Sequence, residues 1–485
     1  AEVGAEVGAE VGAEVGAEVG AEVGAEVDAQ VGADGLLSPT TEQESGPGGS
    51  TCFEPGAPPT AERATTQLRL ELLEAAADSA DRLGHRERQR EVLERLAELD
   101  LDPKETPDLA GRVYLLHGRQ AAADGRLGLA RGLYRNAAEL FESAGHDHHS
   151  SEAKRRLALI QSQVGNWEEA RALARRAGGL ATDGPQQAAA LIAEGVIDVL
   201  EDQLEEALSK ASRAAALLRR ATRPASPERL RHLGTGAAVH LLRARAWRQA
   251  GRRLRALAAA RRALRTARAA GEVRLEIECL ARQGALLLDT DQVEPAEDSL
   301  REALVLARRL DDRRGQALAG IFLGILLTEA GRPDARSEVE RSRVLAEELG
   351  LGSLLALTLA IRARIDLLAR GPAGERDASQ SLAAAARANG AALNAIERFG
   401  VELSDRIVVL GTQALILDAA GEGDAARELV RDLRRTMRRV NQRLTDPVHR
   451  RRHRLWTTRL LQAVLSPAGP VYPRARFRLL DQGDE

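Results

Sequence analysis

The sequence predicts an all-α fold, an α-solenoid built from antiparallel helix pairs. Of its 485 residues, 44% are hydrophobic but only 2% are aromatic, and Ala, Leu, Glu and Arg, which favour helices, are abundant. β-branched and aromatic residues are too sparse for the alternating strands of a sheet. Gly, Asp or Pro interrupts the helical pattern about every 15–25 residues, which is typical of short connections between paired helices.

Three segments of different character follow one another along the chain. Residues 1–60 hold an Ala-Glu-Val-Gly repeat and then a Pro- and Gly-rich stretch, with no Lys or Arg. Glycine at every fourth position opposes helix formation, so we predict a disordered acidic tail and linker there. Residues 61–465 carry the helical pattern, and residues 466–485 form a C-terminal tail.

The breaks within residues 61–465 are periodic. Successive breaks lie 37–49 residues apart, and Gly421 follows after a gap with room for two units and a degenerate break near Gly371 and Gly374. Small residues recur seven residues before the breaks, and five and twelve residues after them. Antiparallel helices approach closely only where side chains are small, so this register predicts their contact face. The breaks are Gly84, Gly125, Gly165, Asp202, Gly251, Asp291 and Gly331.

This pattern resembles the tetratricopeptide repeat family, in the extended form of about 40 residues found in bacterial regulators. The segments 125–130, 165–170 and 291–296 carry the resemblance best, because each opens on the break and places Ala five residues later. Residues 371–410 depart from the pattern, and Gln89 stands where the first unit should have Ala. The resemblance implies a right-handed solenoid whose first helices form a concave groove.

The resemblance also implies where a partner would bind. Inward-pointing side chains of the first helices would combine polar groups with apolar positions, which are Leu115, Ile192, Val196, Leu241, Ile321 and Ile325. Because the guanidinium group of arginine binds carboxylates through two parallel hydrogen bonds, we expect an acidic or amphipathic peptide or helix of a partner protein in this groove. The polar candidates are Arg112, Arg119, Arg155, Gln163, Arg245, Arg248 and Gln249.

The sequence carries no recognisable catalytic motif. None of its three lysines follows a glycine, so there is no P-loop, and the signatures of zincins, serine hydrolases and dinucleotide-binding folds are absent. The His-rich run 146–149 has metal-ligand chemistry but no fourth fixed ligand, and we interpret it as a solvated loop. We therefore predict a protein that is not an enzyme and that uses no cofactor and no metal.

The sequence is compatible with three functions. We expect a non-catalytic scaffold that binds a partner's peptide or helix in the groove. The alternative is the sensor or docking region of a larger bacterial signalling protein, a kinase or ATPase regulator whose catalytic part is absent from this chain; the missing initial Met fits this reading. The third candidate function is nucleic-acid binding, which the Arg-rich stretch 431–459 suggests. We favour a capping helix in this stretch and do not expect nucleic acid as a partner.

The cellular location is inferred from cysteines and hydropathy. Cys52 and Cys279 stand in unrelated contexts, which argues against a disulfide framework and favours a reducing cytoplasm. No apolar run of 18 residues and no secretory signal is present. The scarcity of Lys beside abundant Ala and Arg suggests bacterial coding bias. We expect a cytoplasmic bacterial protein without membrane contact, and the sequence leaves its oligomeric state open.

Overall fold

The computed structural model describes residues 61–83, 85–99, 101–221, 226–368, 375–399 and 401–466. The predicted N-terminal repeat and linker and nearly all of the predicted C-terminal tail lie outside these ranges, as do Gly84, Gly371 and Gly374. Within the described ranges the chain forms helices and no strand, which confirms the predicted fold class. None of these helices combines the length and apolar character needed to cross a bilayer.

The described ranges contain nineteen helices. Each packs on its neighbour in sequence, and the first helices of successive pairs also pack on one another. Nine antiparallel pairs and a final single helix result, in a right-handed α-solenoid. The helices are α1 (Ala61–Leu83), α2 (Arg86–Ala97), α3 (Pro107–Ala123), α4 (Leu127–Ser143), α5 (Asp147–Gln163), α6 (Trp167–Leu180), α7 (Gly184–Leu200), α8 (Leu204–Arg220), α9 (Ser226–Gln249), α10 (Arg253–Ala270), α11 (Val273–Asp289), α12 (Val293–Arg309), α13 (Arg313–Glu329), α14 (Ala335–Glu348), α15 (Gly352–Leu368), α16 (Glu375–Phe399), α17 (Leu403–Ala419), α18 (Gly423–Arg443) and α19 (Pro447–Val464).

The predicted breaks are the turns inside the helix pairs. The seven that fall in the described ranges all have a left-handed backbone, with φ between 59° and 88°. Glycine adopts this conformation without steric cost, whereas an aspartate, as at Asp202 and Asp291, is strained there. Four more left-handed turns join one pair to the next and were not predicted, because the repeat marks only the turn within a pair. They are Gly145, Gly271, Asp311 and Gly350.

The recurring small residues lie where paired helices cross. The alanines five residues after the turns are at most 7% exposed, and those twelve residues after them are completely buried. The two helices of a pair also approach each other closely at the residues seven positions before the turns. A Cβ atom added at Gly118 would lie 2.7 Å from the ring of Tyr134. One at Gly324 would lie 2.5 Å from Val339 Cγ2. The periodic small residues of the sequence therefore mark the positions at which paired helices pack against each other.

The solenoid winds tightly enough for distant repeats to meet. Glu205, at the start of α8, accepts hydrogen bonds from the backbone amides of Thr445 and Asp446 at 2.9–3.0 Å, although these lie about 240 residues further along the chain. The turn at Gly251 rests against α19, since a Cβ at this position would lie 2.8 Å from Trp456 Cβ. Successive turns of the superhelix are thus in contact.

Asp202 stands in a turn where a carboxylate is unfavourable. It is 5% exposed with φ 61°, and burial raises its pKa to about 6 despite the nearby Arg406 and Leu403 amide. The folded chain therefore holds a proton that the unfolded chain releases between about pH 4 and 6, so Asp202 destabilises the fold above that window. We expect Asp202→Asn to raise the free energy of unfolding at pH 8 by on the order of 2–3 kcal/mol, and to have little effect at pH 4.

The matched control for this substitution is Asp291→Asn. Asp291 occupies the equivalent turn with φ 59° but is exposed to solvent, so its carboxylate keeps its hydration. Urea denaturation of both variants between pH 4 and 8 should show a pH-dependent gain for Asp202→Asn only. Equal pH profiles for the two variants would show that burial of Asp202 does not carry the effect.

Candidate functional site

The inward faces of the first helices line a cavity of about 1220 Å³. Its walls come from α1, α3, α5, α7, α9, α11 and α13, and Phe399 and residues 351–354 complete its lining. Pockets for small molecules usually measure about 300–1,000 Å³. The cavity is therefore large enough for a peptide segment. We refer to it below as the central cavity.

The first helix, α1, closes one side of the central cavity. Asp78 pairs with Arg231 of α9 at 3.1 Å, and Asp81 pairs with Arg274 of α11 at 2.9 Å and with Arg119 of α3 at 3.2 Å. Burial acts to raise the pKa of Asp81, but the neighbouring arginines together outweigh it and lower that pKa. The sequence analysis missed these two carboxylates; their i, i+3 spacing on one helix face was the available signal.

Four of the seven polar groove candidates line the central cavity: Arg119, Arg155, Gln163 and Arg245. The apolar positions Leu115, Ile192, Val196 and Leu241 line it as well. By contrast, Ile321 and Ile325 are completely buried in the hydrophobic core of α13 and its neighbours. They are packing residues, because the inner face of α13 is covered by other helices along most of its length.

The other three candidates connect helices and do not line the cavity. Arg112 pairs with Glu74 of α1. Arg248, 6% exposed, donates from Nε and Nη2 to the buried Asp289 at 2.8 and 3.4 Å. Gln249 donates its side-chain amide to Glu402 and Ser404, which begin α17. They were predicted as groove residues because the spacing of one helix does not reveal which other helix covers each position: α1 at Arg112, α11 at Arg248 and the start of α17 at Gln249.

Two arginines on α5 share a single carboxylate. Arg156 donates to Glu152 Oε1 at 2.8 Å, while Arg155 reaches the same oxygen only at 3.8 Å. Burial and then the neighbouring Arg156 lower the pKa of Arg155 to about 10. Arg155 therefore stands in the cavity wall without a full counter-charge.

A second incompletely paired arginine lies on α11. Arg282 Nε is buried, forms no hydrogen bond with a described residue, and lies 4.0 Å from Glu278 Oε1. Burial and then Arg245 lower the pKa of Arg282. Arg245 is better satisfied, because Glu402 accepts from it at 2.7 Å. The cavity thus presents two arginines, Arg155 and Arg282, whose donors are incompletely used.

The central cavity is lined by both signs of charge. Carboxylates of Glu71, Glu74, Asp78 and Asp81 stand on α1, and Glu272 and Glu278 stand on α11. The expected arginine groove is therefore a mixed surface, with acidic groups on α1 and incompletely paired arginines on α5 and α11. Such a lining suits a ligand that carries both charges along with apolar groups.

The His-rich run is part of a helix and not a loop. His146 is the residue before α5, and the following three residues form its first turn. The ring of His149 stacks on Phe141 with centroids 5.1 Å apart, and burial lowers the pKa of His149 to about 4. Across the described ranges, no three metal-ligating side chains come together in a metal-like cluster.

The consecutive packed helix pairs define an α-solenoid with a central cavity. Neither the known protein-family models nor the curated proteins provide a match to this sequence. Several solved structures are similar in fold. A Rap protein in complex with competence and sporulation factor is 13% identical, with 79% of this chain and 99% of that chain covered and a TM-score of 0.48.

Two further structures show the same level of similarity. Aspartyl phosphate phosphatase F from Bacillus subtilis is 11% identical, with 83% of this chain and 98% of that chain covered and a TM-score of 0.43. A signal transduction ATPase with a tetratricopeptide repeat sensor, from Pyrococcus horikoshii, is 15% identical over 69% of this chain and 49% of that one, also with a TM-score of 0.43. All three TM-scores are below 0.5, so the functional proposal rests on the cavity itself.

Proposed function

We propose that this protein is a non-catalytic interaction scaffold that binds a peptide segment of a partner in the central cavity. The observation that carries the proposal is the pair of incompletely satisfied arginines, Arg155 and Arg282, in the wall of a cavity of about 1220 Å³. A buried guanidinium gains most from a carboxylate that completes its hydrogen bonds. A peptide brings such carboxylates at its C-terminus or on Asp and Glu.

The apolar lining fits the rest of a peptide. Ile192 and Val196 on α7, Leu241 on α9 and Leu318 on α13 face the cavity between the charged positions. Apolar ligand side chains that leave water against them contribute about 25 cal/mol per Å² of buried apolar area. The carboxylates of α1 would receive a basic side chain or an amino terminus. The preferred ligand is therefore an amphipathic peptide with an acidic group, which is narrower than the acidic or amphipathic peptide or helix that the sequence indicated.

Peptide selection provides the test. A random peptide library would be displayed against the full chain, and the best binder would be measured by calorimetry on the parent and on Arg155→Gln/Arg282→Gln. We expect the double variant to bind at least about a hundredfold more weakly, since two arginines are removed and each hydrogen bond to a charged group contributes about 1.5–3 kcal/mol. Circular dichroism would confirm that the variant remains helical.

The matched control removes two arginines from outside the cavity. Arg131 on α4 and Arg261 on α10 are exposed and form no ion pair with a described residue, so Arg131→Gln/Arg261→Gln should bind the peptide like the parent. Equal affinity for the parent and for Arg155→Gln/Arg282→Gln would contradict the proposed site. Failure to select any peptide that requires Arg155 and Arg282 would contradict the function.

A further inference from the structure

The C-terminal helices present a strongly basic outer surface. Between Arg427 and Arg459 the chain has twelve arginines and only three carboxylates, while the whole protein has a net charge of -3. One side of α18 is buried in the solenoid, through Leu433, Met437 and Val440. The arginines on its other side therefore face outward. The exposed set, called the basic face below, comprises Arg431, Arg434, Arg435, Arg438, Arg439, Arg443, Arg450, Arg451 and Arg454.

Most of the basic face lacks a counter-charge within the described ranges. Arg435 pairs with Asp432 at 2.8 Å. The other guanidinium groups of the face have no described carboxylate within ion-pair distance, and those of Arg438, Arg443 and Arg450 donate to backbone carbonyls. A carbonyl leaves the positive charge uncompensated. The face therefore differs from the balanced charge of an ordinary solvated helix surface.

The basic face is held rigidly on the solenoid. The carboxylate of Glu205 on α8 accepts hydrogen bonds from the Thr445 backbone amide at 2.9 and 3.0 Å, from the Thr445 hydroxyl, and from the Asp446 amide at 2.9 Å. At the other end of α19, Arg364 of α15 donates to the Val464 carbonyl at 2.7 Å. A surface fixed in this way binds without the loss of conformational entropy that a flexible basic tail would incur.

The spacing of the arginines matches a regular row of negative charges. On α18, Arg427, which pairs with Asp424 at 2.6 Å, is followed by Arg431, Arg434 and Arg438 of the basic face at intervals of four, three and four residues, which places them along one stripe of the helix. At 1.5 Å per residue the stripe is about 16 Å long. Each strand of duplex DNA carries a phosphate every ~3.4 Å of its axis. The stripe therefore spans several consecutive phosphates of one strand.

The scarcity of exposed apolar side chains around the basic face argues against several classes of partner. Protein interfaces rely on buried apolar and aromatic anchors, but Val448 is the only large apolar side chain exposed on the described part of α18 and α19. Single-stranded nucleic acids need aromatic stacking platforms, and Trp456 is 2% exposed. Membrane binding requires a helix with a free apolar side, and that side of α18 is buried. A double-stranded phosphate backbone meets all of these conditions.

We propose that the basic face binds duplex nucleic acid through its phosphate backbone, without reading the base sequence. The sequence had favoured a capping role for this segment. The structure adds the rigid anchoring and the uncompensated charge, both of which favour binding a polyanion over a purely solvated cap. If about six arginines contact phosphates, log K should fall with log salt concentration with a slope of about −5.

The test measures binding of the full chain to a short labelled DNA duplex by fluorescence anisotropy, between about 50 and 200 mM salt. The variant Arg431→Glu/Arg434→Glu/Arg438→Glu is compared with Arg131→Glu/Arg261→Glu/Arg309→Glu, which reverses three other exposed arginines that form no ion pair with a described residue. We expect at least a thirtyfold loss of affinity and a shallower salt slope for the first variant only. Its peptide binding in the central cavity should be unchanged.

Three results would overturn the inference. The first is no duplex binding by the parent at the lowest salt. The second is an equal loss for the two triple variants, which would show that net charge alone governs binding. The third is tighter binding of polyglutamate or of phosphatidylserine vesicles than of the duplex, which would assign the basic face to an acidic protein or to a membrane.

Discussion

Replacing Asp289 with alanine should lower the free energy of unfolding by about 3–5 kcal/mol, the usual loss when one partner of a buried ion pair is removed. Asp289 is completely buried and accepts two hydrogen bonds from Arg248, which is 6% exposed. Arg253 also donates to the Asp289 carbonyl at 2.6 Å. In the variant, the buried guanidinium of Arg248 loses its carboxylate. Urea denaturation monitored by circular dichroism would measure the change.

The double variant Arg248→Met/Asp289→Leu separates the charge effect from the shape effect. It removes both charges and keeps apolar volume, so we expect it to recover most of the loss. As a surface reference, Glu297→Ala removes a half-exposed carboxylate that pairs with Arg301 at 2.6 Å and lies 3.9 Å from Arg332, and it should change stability by about 0–1 kcal/mol. If Asp289→Ala costs no more than Glu297→Ala, Arg248 does not depend on Asp289.

Replacing Gly284 with valine should destabilise the protein by about 3 kcal/mol or more, at the upper end of the range for overpacked sites. A Cβ at this position would lie 2.5 Å from Leu300 Cγ and 3.3 Å from the Ala296 carbonyl oxygen. Leu300 and Ala296 are completely buried, so α11 and α12 would have to move apart. The measurement is again the free energy of unfolding in urea.

Gly132→Ala is the matched control for the crossing position. Gly132 is an exposed residue within α4, and a Cβ there would have no neighbour within 4 Å. Alanine lowers the entropy of the unfolded chain and favours the helix, so this variant should be more stable by about 0.5–1 kcal/mol. A loss of less than about 1 kcal/mol in Gly284→Val would contradict this account, because it would mean that close packing does not restrict the residue at this crossing.

Local features of the fold were predictable because they repeat. The turn residues Gly125 and Asp202 and the small residues at fixed offsets from them, such as Gly118 and Ala130, are set by contacts within one helix pair. Such contacts involve residues less than about forty positions apart, so they leave a periodic record in the sequence. The same periodicity predicted that the first helix of each pair faces inward.

Contacts between successive turns of the superhelix were not predictable in the same way. Glu402 meets Arg245 across 157 residues, and Glu205 meets Thr445 across 240. Each of these contacts occurs once, so no periodicity marks it. For this reason the sequence assigned Gln249 to the groove and gave no sign that successive turns of the superhelix are in contact. The acidic residues of α1 that close the cavity were overlooked for the same reason.

The central claim is that a peptide binds inside the central cavity, and site-directed photo-crosslinking tests it most directly. The selected peptide would carry a photoreactive residue, and crosslinked positions on the full chain would be mapped by mass spectrometry. We predict crosslinks to the inner faces of α5, α7, α9 and α11, near Arg155, Ile192, Leu241 and Arg282. Crosslinks confined to the outer helices, or to α18 and α19, would contradict the claim.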